Sequence, residues 1–240
     1  RAFVELSNKY DRFTGLFDDV DLQSRKLGGD DQQRNVTITE VLKKLGDIDV
    51  IGHEGDVIGD AYEYLISQFA SDAGKKAGEF YTPHMVSDMM AQIVALGQED
   101  KRHFSVFDPT MGSGSLMLNV RHYLDYPNGV SYHGQEMNTT TYNLAKMNLI
   151  LHGVDSENMR LRNGDSLNTD WPTEEPYTFD SVVMNPPYSA KWSSDDTFLD
   201  DSRFNRYGKL APKSKADFAF LLHGFYHLRE TGTMAIVLPH

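Results

Sequence analysis

Residues 106–116 read Val106-Phe107-Asp108-Pro109-Thr110-Met111-Gly112-Ser113-Gly114-Ser115-Leu116, an apolar strand that breaks into a turn of small residues and resumes as a helical pattern through Leu118, Val120, Tyr123 and Leu124. Strand, glycine turn and helix in immediate succession open a βαβ unit. Glycines at such a turn let the backbone approach a ligand, and the helix N-terminus behind them presents free N–H groups. The pattern predicts a nucleotide-type cradle. Met117 stands where a dinucleotide fingerprint has its third glycine, which counts against a nicotinamide cofactor, as does the absence of an evident Tyr-Lys or His-Asp hydride-transfer pair.

Outward from this unit the same theme repeats. The strand-like Val130-Ser131-Tyr132-His133-Gly134-Gln135 ends at Glu136, where an acid accepts hydrogen bonds from ribose hydroxyls. A third piece, Met159-Arg160-Leu161-Arg162, leads to Asp165, placed to accept from an adenine amine. Any one of Asp108, Glu136 and Asp165 reads as a turn acid, but three in succession at strand C-termini point to one ligand site. A fourth strand, Phe179-Asp180-Ser181-Val182-Val183-Met184, runs into Asn185-Pro186-Pro187-Tyr188. Neither proline has an N–H to donate, so the ladder stops there and the chain turns out with an amide and a phenol. Asn185 and the neighbouring backbone carbonyl offer two acceptors to one exocyclic amine, and Tyr188 offers a ring on which an extruded base stacks.

Alternation of strands and helices from Phe104 to Leu238 predicts an α/β fold, a doubly wound and mostly parallel sheet. Residues 1–78 read as a helical region, with an amphipathic stretch from Val36 to Leu45 and an apolar stripe Val57, Ile58, Ala61, Tyr62, Leu65, Ile66, Phe69 behind the cap Asp56. Gly74 to Gly78 reads as a loop, Thr82-Pro83 as a capped helix start, and Ser214 as the start of a helix with the stripe Phe218, Leu221, Leu222, Phe225, Leu228. Residues 79–240 form the expected catalytic domain. Segment 189–213 is long and polar, a mobile substrate loop or a disordered one. The chain begins at Arg1 and stops after the strand-like Thr233 to Leu238, so it reads as a fragment.

With 40% hydrophobic residues among 240, the chain can bury one substantial core. The absence of cysteine, of a signal-like N-terminus and of a long apolar run predicts a cytoplasmic protein without disulfides. The nine histidines lack metal-ligand spacing, so no metal is assigned. A net charge of −12 opposes phosphate approach. Arg203, Arg206, Lys209, Lys213 and Lys215 nevertheless fall within thirteen positions that contain no acid, which predicts a local contact with a phosphate backbone.

The order Phe80-Tyr81-Thr82-Pro83, Asp108 to Gly114, Glu136, Asp165 and Asn185-Pro186-Pro187-Tyr188 resembles an S-adenosylmethionine-dependent adenine-N6 DNA methyltransferase. Gly59 to Leu65, Gly78 to Pro83, Lys213 to Phe220 and Val237 to His240 narrow the resemblance to the modification subunit of type I restriction–modification systems, over roughly residues 35 to 240. The resemblance implies DNA as substrate, with a separate specificity subunit and a restriction subunit as partners. It assigns Asn185, Pro186 and Tyr188 to catalysis on a flipped adenine, and Gly112, Gly114, Glu136, Asp165, Asp108, Tyr81 and Thr82 to the cofactor. Two alternatives stay open: another planar amine, such as a protein glutamine or an RNA base, as methyl acceptor, or a cofactor-binding scaffold without turnover.

Overall fold

A computed structural model describes residues 2–47, 57–73, 81–174, 177–188 and 190–239. Asp56, the loop 74–78, Phe80 and His240 therefore lie outside the described residues. The chain divides into two compact units, 1–61 and 62–240. In the first, α1 (Ala2–Lys9) precedes α2 (Asp31–Gly46). Helix α2 starts five residues before the amphipathic stretch because Asp30 caps it, accepting from Gln33 N at 2.8 Å while Gln33 Oε1 accepts from Gly29 N. The ring of Phe17 packs against those of Phe3 and Phe13, and Leu16 is buried.

The second unit is the predicted α/β fold. Helix α3 (Val57–Ala73) crosses the boundary between the units and α4 (His84–Ala95) follows. Then come β1 (Phe104–Asp108), α5 (Ser115–Asn119), β2 (Val130–Glu136), α6 (Thr139–Leu151), β3 (Met159–Asn163), β4 (Phe179–Met184), α7 (Asp217–Tyr226) and β5 (Leu228–Ile236). All pairs are parallel, in the order β3-β2-β1-β4-β5. Every residue of β1 and β4 is buried, as the continuous apolar runs of a sheet covered on both faces require. Alternate residues feed two cores: Phe104, Val106 and Val183 pack with α4 and α5, while Phe107, Val182 and Met184 pack with α7 and segment 190–211. The chain winds outward from β1 to β3, then returns to β4 on the other side, so connections diverge between β1 and β4 and leave a crevice at their C-terminal ends. No described helix is long and apolar enough to cross a membrane.

Four local expectations are corrected. Pro83, not Thr82, caps α4, and no side chain bonds the first turn. Helix α7 begins at Asp217 rather than Ser214, and its buried face is Ala219, Phe220, His223 and Gly224, whereas Phe218 and Phe225 are exposed. Apolar residues occur all round this helix, so composition alone does not set its phase; small Ala219 and Gly224 do, by letting the helix approach the sheet. Leu228 belongs to β5, which begins earlier than Thr233 and jumps register, pairing Phe179 with Leu228 and Ser181 with Thr233. At this irregularity Gly232 is needed, since an added Cβ would lie 2.9 Å from the carbonyl oxygens of Phe179 and Asp180. Segment 190–213 is packed: Trp192, Phe198 and Phe204 form a ring cluster with centroids 5.2–5.9 Å apart. Trp192 and Phe204 are buried there, because three aromatic rings offer enough apolar area to order an otherwise polar stretch.

Candidate active site

A cavity of about 360 Å³ opens at the C-terminal edge of the sheet and is walled by residues from four strand ends: Pro109, Glu136, Asp165 and Pro187. Gly112 (φ +54°) and Gly114 (φ +79°) make the turn after β1 with left-handed backbone that a side chain disfavours. A Cβ on Gly114 would also come within 2.9 Å of Leu149 Cδ1. The turn brings Gly112 N to Glu136 Oε2 at 3.2 Å, while Asn138 N donates to Oε1 at 2.7 Å. Burial pushes the Glu136 carboxyl up, and the backbone N–H groups of Asn138, Gly112 and Met137 oppose that rise. Asp165 accepts from Leu167 N at 3.0 Å and from Asn168 Nδ2 at 2.7 Å, which fixes its carboxylate beside the cavity.

Asp108 does not share this wall. Only 1% exposed, it accepts from Thr110 N at 2.9 Å and Thr110 Oγ1 at 3.3 Å. Burial pushes its carboxyl up to about 8, against the two Thr110 bonds and with help from the Glu136 charge. Tyr81 is half-buried and its phenol is likewise pushed up, by burial first and by Glu63 second.

The strand-ending tetrad has a defined geometry. Val237 N donates to Met184 O at 3.0 Å, and the ladder then meets the two prolines. Asn185 Nδ2 donates to Thr82 Oγ1 at 3.3 Å, and Tyr188 Oη donates to Asn185 Oδ1 at 2.9 Å. Thr82, which does not cap its helix, instead orients the Asn185 amide. Pro186 is buried and Tyr188 is 50% exposed, so the ring stands free to meet a flat partner while the amide beneath it is held.

The basic run separates into two kinds of residue. Arg206, Lys209, Lys213 and Lys215 are exposed. Arg203 is corrected: it is 3% exposed and paired with Asp201 at 2.7 Å, so it cannot track a phosphate backbone while so held. Sequence reasoning also missed Gln135, Ser166 and Phe220, all of which line the cavity. Gln135 and Ser166 immediately precede or follow the recognised acids, which was the available signal; Phe220 closes the stretch Lys213 to Phe220 that carries the resemblance, but which way it faces depends on how α7 packs.

Among the described residues, Asp170, His223 and His227 bring potential metal-ligand atoms within 4.8 Å of one another. The hydrogen bonding argues against a cation there. Arg203 Nη1 lies 3.1 Å from His223 Nδ1, and a guanidinium can only donate, so Nδ1 accepts. Burial, then His227 and Arg203, hold His223 well below its usual range; the neutral ring carries its proton on Nε2, which then has no lone pair for a metal. Arg203 already brings positive charge within 3.7 Å of Asp170.

A parallel α/β sheet with a walled crevice at its switch point is the place where open α/β folds bind ligands, and here it stands beside an Asn-Pro-Pro-Tyr tetrad at one strand end. The chain matches the family model described as N-6 DNA Methylase over residues 53–240 and belongs to that family. It is 43% identical to the Type I restriction enzyme MpnII methylase subunit of Mycoplasma pneumoniae, over 94% of this chain and 44% of that protein. It is 33% identical to the HindI methylase subunit of Haemophilus influenzae, over 77% of this chain and 40% of that one. Among solved structures, the type I restriction-modification system methyltransferase subunit from Streptococcus thermophilus is similar with a TM-score of 0.94 and 58% identity, over 99% of this chain and 50% of that chain. The chain thus spans half, or less than half, of the length of these relatives.

Proposed function

We propose that this chain transfers a methyl group from S-adenosylmethionine to the N6 amine of an adenine flipped out of DNA, as the modification subunit of a restriction–modification complex. One observation carries the reading: the Asn185 amide, oriented by Thr82, stands at the same sheet edge as a cavity walled by Glu136 and Asp165. S-adenosylmethionine, when bound, supplies an electrophilic methyl on a sulfonium. The donor set fits it, because a nucleoside with a diol and an exocyclic amine needs acceptors, and Glu136 and Asp165 are acceptors. We assign Glu136 to the ribose and Asp165 to the adenine amine, with Gly112 and Gly114 allowing close approach. We assign Tyr81 to the methionine part, and Asp108, which is buried and does not line the cavity, to supporting the turn after β1.

Asn185 Oδ1 and the Pro186 carbonyl accept from the target amine. An aniline-like nitrogen is a poor nucleophile because its lone pair is delocalised into the ring, and two acceptors favour the more tetrahedral nitrogen of the transition state. The proton becomes acidic only after methylation, so no strong base is required. Tyr188 exchanges its bond to Asn185 for a stack on the base, offsetting part of the few kcal/mol that unstacking costs. Arg206, Lys209, Lys213 and Lys215 are the proposed phosphate contacts. Residues 79–240 are the proposed catalytic domain and 1–78 a helical region. With a net charge of −12, sequence-specific duplex binding falls to a separate specificity subunit, and a restriction subunit completes the assembly. The test is incubation of the intact protein, with and without co-purifying subunits, with labelled S-adenosylmethionine and DNA. N6-methyladenine as product is expected; label in RNA or protein only, or none in the complex, would overturn the reading.

A further inference from the structure

We propose that Arg203 is a positioning residue that binds the target-side segment 190–213 to the cofactor-side turn after Asp165, so that a residue outside the cavity sets cofactor affinity. The inference rests on the reading of the cavity as the cofactor site.

The guanidinium has five N–H donors, and five acceptors meet them. Nε donates to Asp201 Oδ1 at 3.0 Å. Nη1 donates to Ser166 O at 2.8 Å and to His223 Nδ1 at 3.1 Å. Nη2 donates to Leu167 O at 3.0 Å and to Asp201 Oδ2 at 2.7 Å. Ser166 and Leu167 directly follow Asp165, and Ser166 Oγ donates in turn to Pro109 O at the end of β1. His223 belongs to α7, the helix that also brings Phe220 to the cavity. Three segments, the cofactor turn, the target-side segment and α7, thus converge on one side chain.

Burial makes this junction all-or-none. A buried guanidinium with unmatched donors is costly, and the fork is matched only while all three segments are in place. Phe204 lies against the guanidinium at 4.9 Å and anchors it to the Trp192–Phe198 ring cluster. Lysine cannot replace it: three donors radiating from one point do not reach Asp201 and two backbone carbonyls together.

The two tryptophans of the chain flank the junction, Trp171 beside Asp170 and Trp192 on Phe204, and neither lines the cavity. The test uses the intact chain with Trp171→Phe, so that Trp192 alone emits. S-adenosylmethionine should change Trp192 emission in this background. Adding Arg203→Lys should abolish that response and weaken cofactor binding about tenfold by calorimetry, while the salt slope of DNA binding stays unchanged. A folded Arg203→Lys protein with parental affinity and an intact Trp192 response would overturn the proposal. If Arg203→Lys does not fold, Asp201→Asn removes the carboxylate partner and leaves the carbonyl bonds; about threefold weaker binding supports the junction, and unchanged binding refutes it. Failure of the parent to bind S-adenosylmethionine at all would instead overturn the cofactor assignment of the cavity.

Discussion

Asp108 and Asp180 are buried aspartates on adjacent strands, at opposite ends of the sheet. Asp180, near the start of β4, accepts from Ser105 N and Oγ at 2.9 and 2.8 Å and pairs with Lys101 and Arg229 at 2.8 Å each. Burial pushes its carboxyl up, but the bonds from Lys101, Ser105 and Arg229 outweigh that and hold it below the usual range. Asp108, at the end of β1, has among the described residues only Thr110 to donate to it, and burial wins. The base of the sheet is a finished electrostatic lock, in which two cations and Ser105 meet one carboxylate, whereas at the C-terminal edge Asp108, Glu136 and Asp165 are held by neutral N–H and O–H donors.

The comparison can be broken most sharply at the C-terminal edge. Asn185→Ala should cut the methylation rate by about 10²–10³-fold with cofactor affinity nearly intact, because its oxygen matters most as the amine pyramidalises. Single-turnover kinetics beside calorimetry separate the two; unaltered turnover would sink the mechanism. At the base the effect should fall on stability instead. Asp180→Ala strips Lys101, Ser105 and Arg229 of their common acceptor and should cost about 2–4 kcal/mol in denaturant unfolding, with cofactor affinity unchanged. Glu136→Ala, next in size, should weaken S-adenosylmethionine more than about tenfold while the fold survives, by calorimetry.

The two aspartates also predict opposite pH slopes. Asp180 is lowered in the fold, so its contribution is present above the ordinary value of 3.8 and is lost as pH falls. Asp108 is raised, so the stability it confers is full below 3.8 and is lost as pH rises toward about 8. Asp108→Asn should therefore remove the fall in melting temperature of the cofactor-free protein between pH 3.8 and about 8, and leave the profile above that range unchanged in slope. An unchanged slope between pH 3.8 and about 8 would show that Asp108 titrates in its ordinary range. The smallest effect concerns exposed charge: neutralising Lys209 and Lys213 should lower the salt slope of DNA binding by about two counterions in the complex, and an unchanged slope returns them to ordinary solvated lysines.

How much of this was legible beforehand depends on the range of the interaction. The strand ends at Asp108, Glu136 and Met184 were readable, because glycine turns and paired prolines act within a few residues. The role of Thr82 was not, since its partner Asn185 lies 103 positions along the chain and the hydroxyl is indistinguishable in sequence from a helix cap. Nor was the packing of segment 190–213, whose three rings are too widely spaced to show a period.

By itself, then, the sequence determined a parallel α/β sheet, the acids at its strand ends and the amide and phenol that follow β4, because local backbone chemistry and burial pattern specify these. Only the tertiary structure decided that Asp108 stands behind the cavity while Asp165 lines it, that α7 buries Gly224 rather than Phe225, and that of five neighbouring cations Arg203 turns inward. The physical reason is desolvation: a charge or a ring becomes buried when distant segments close over it, and the groups they bring decide what that burial costs.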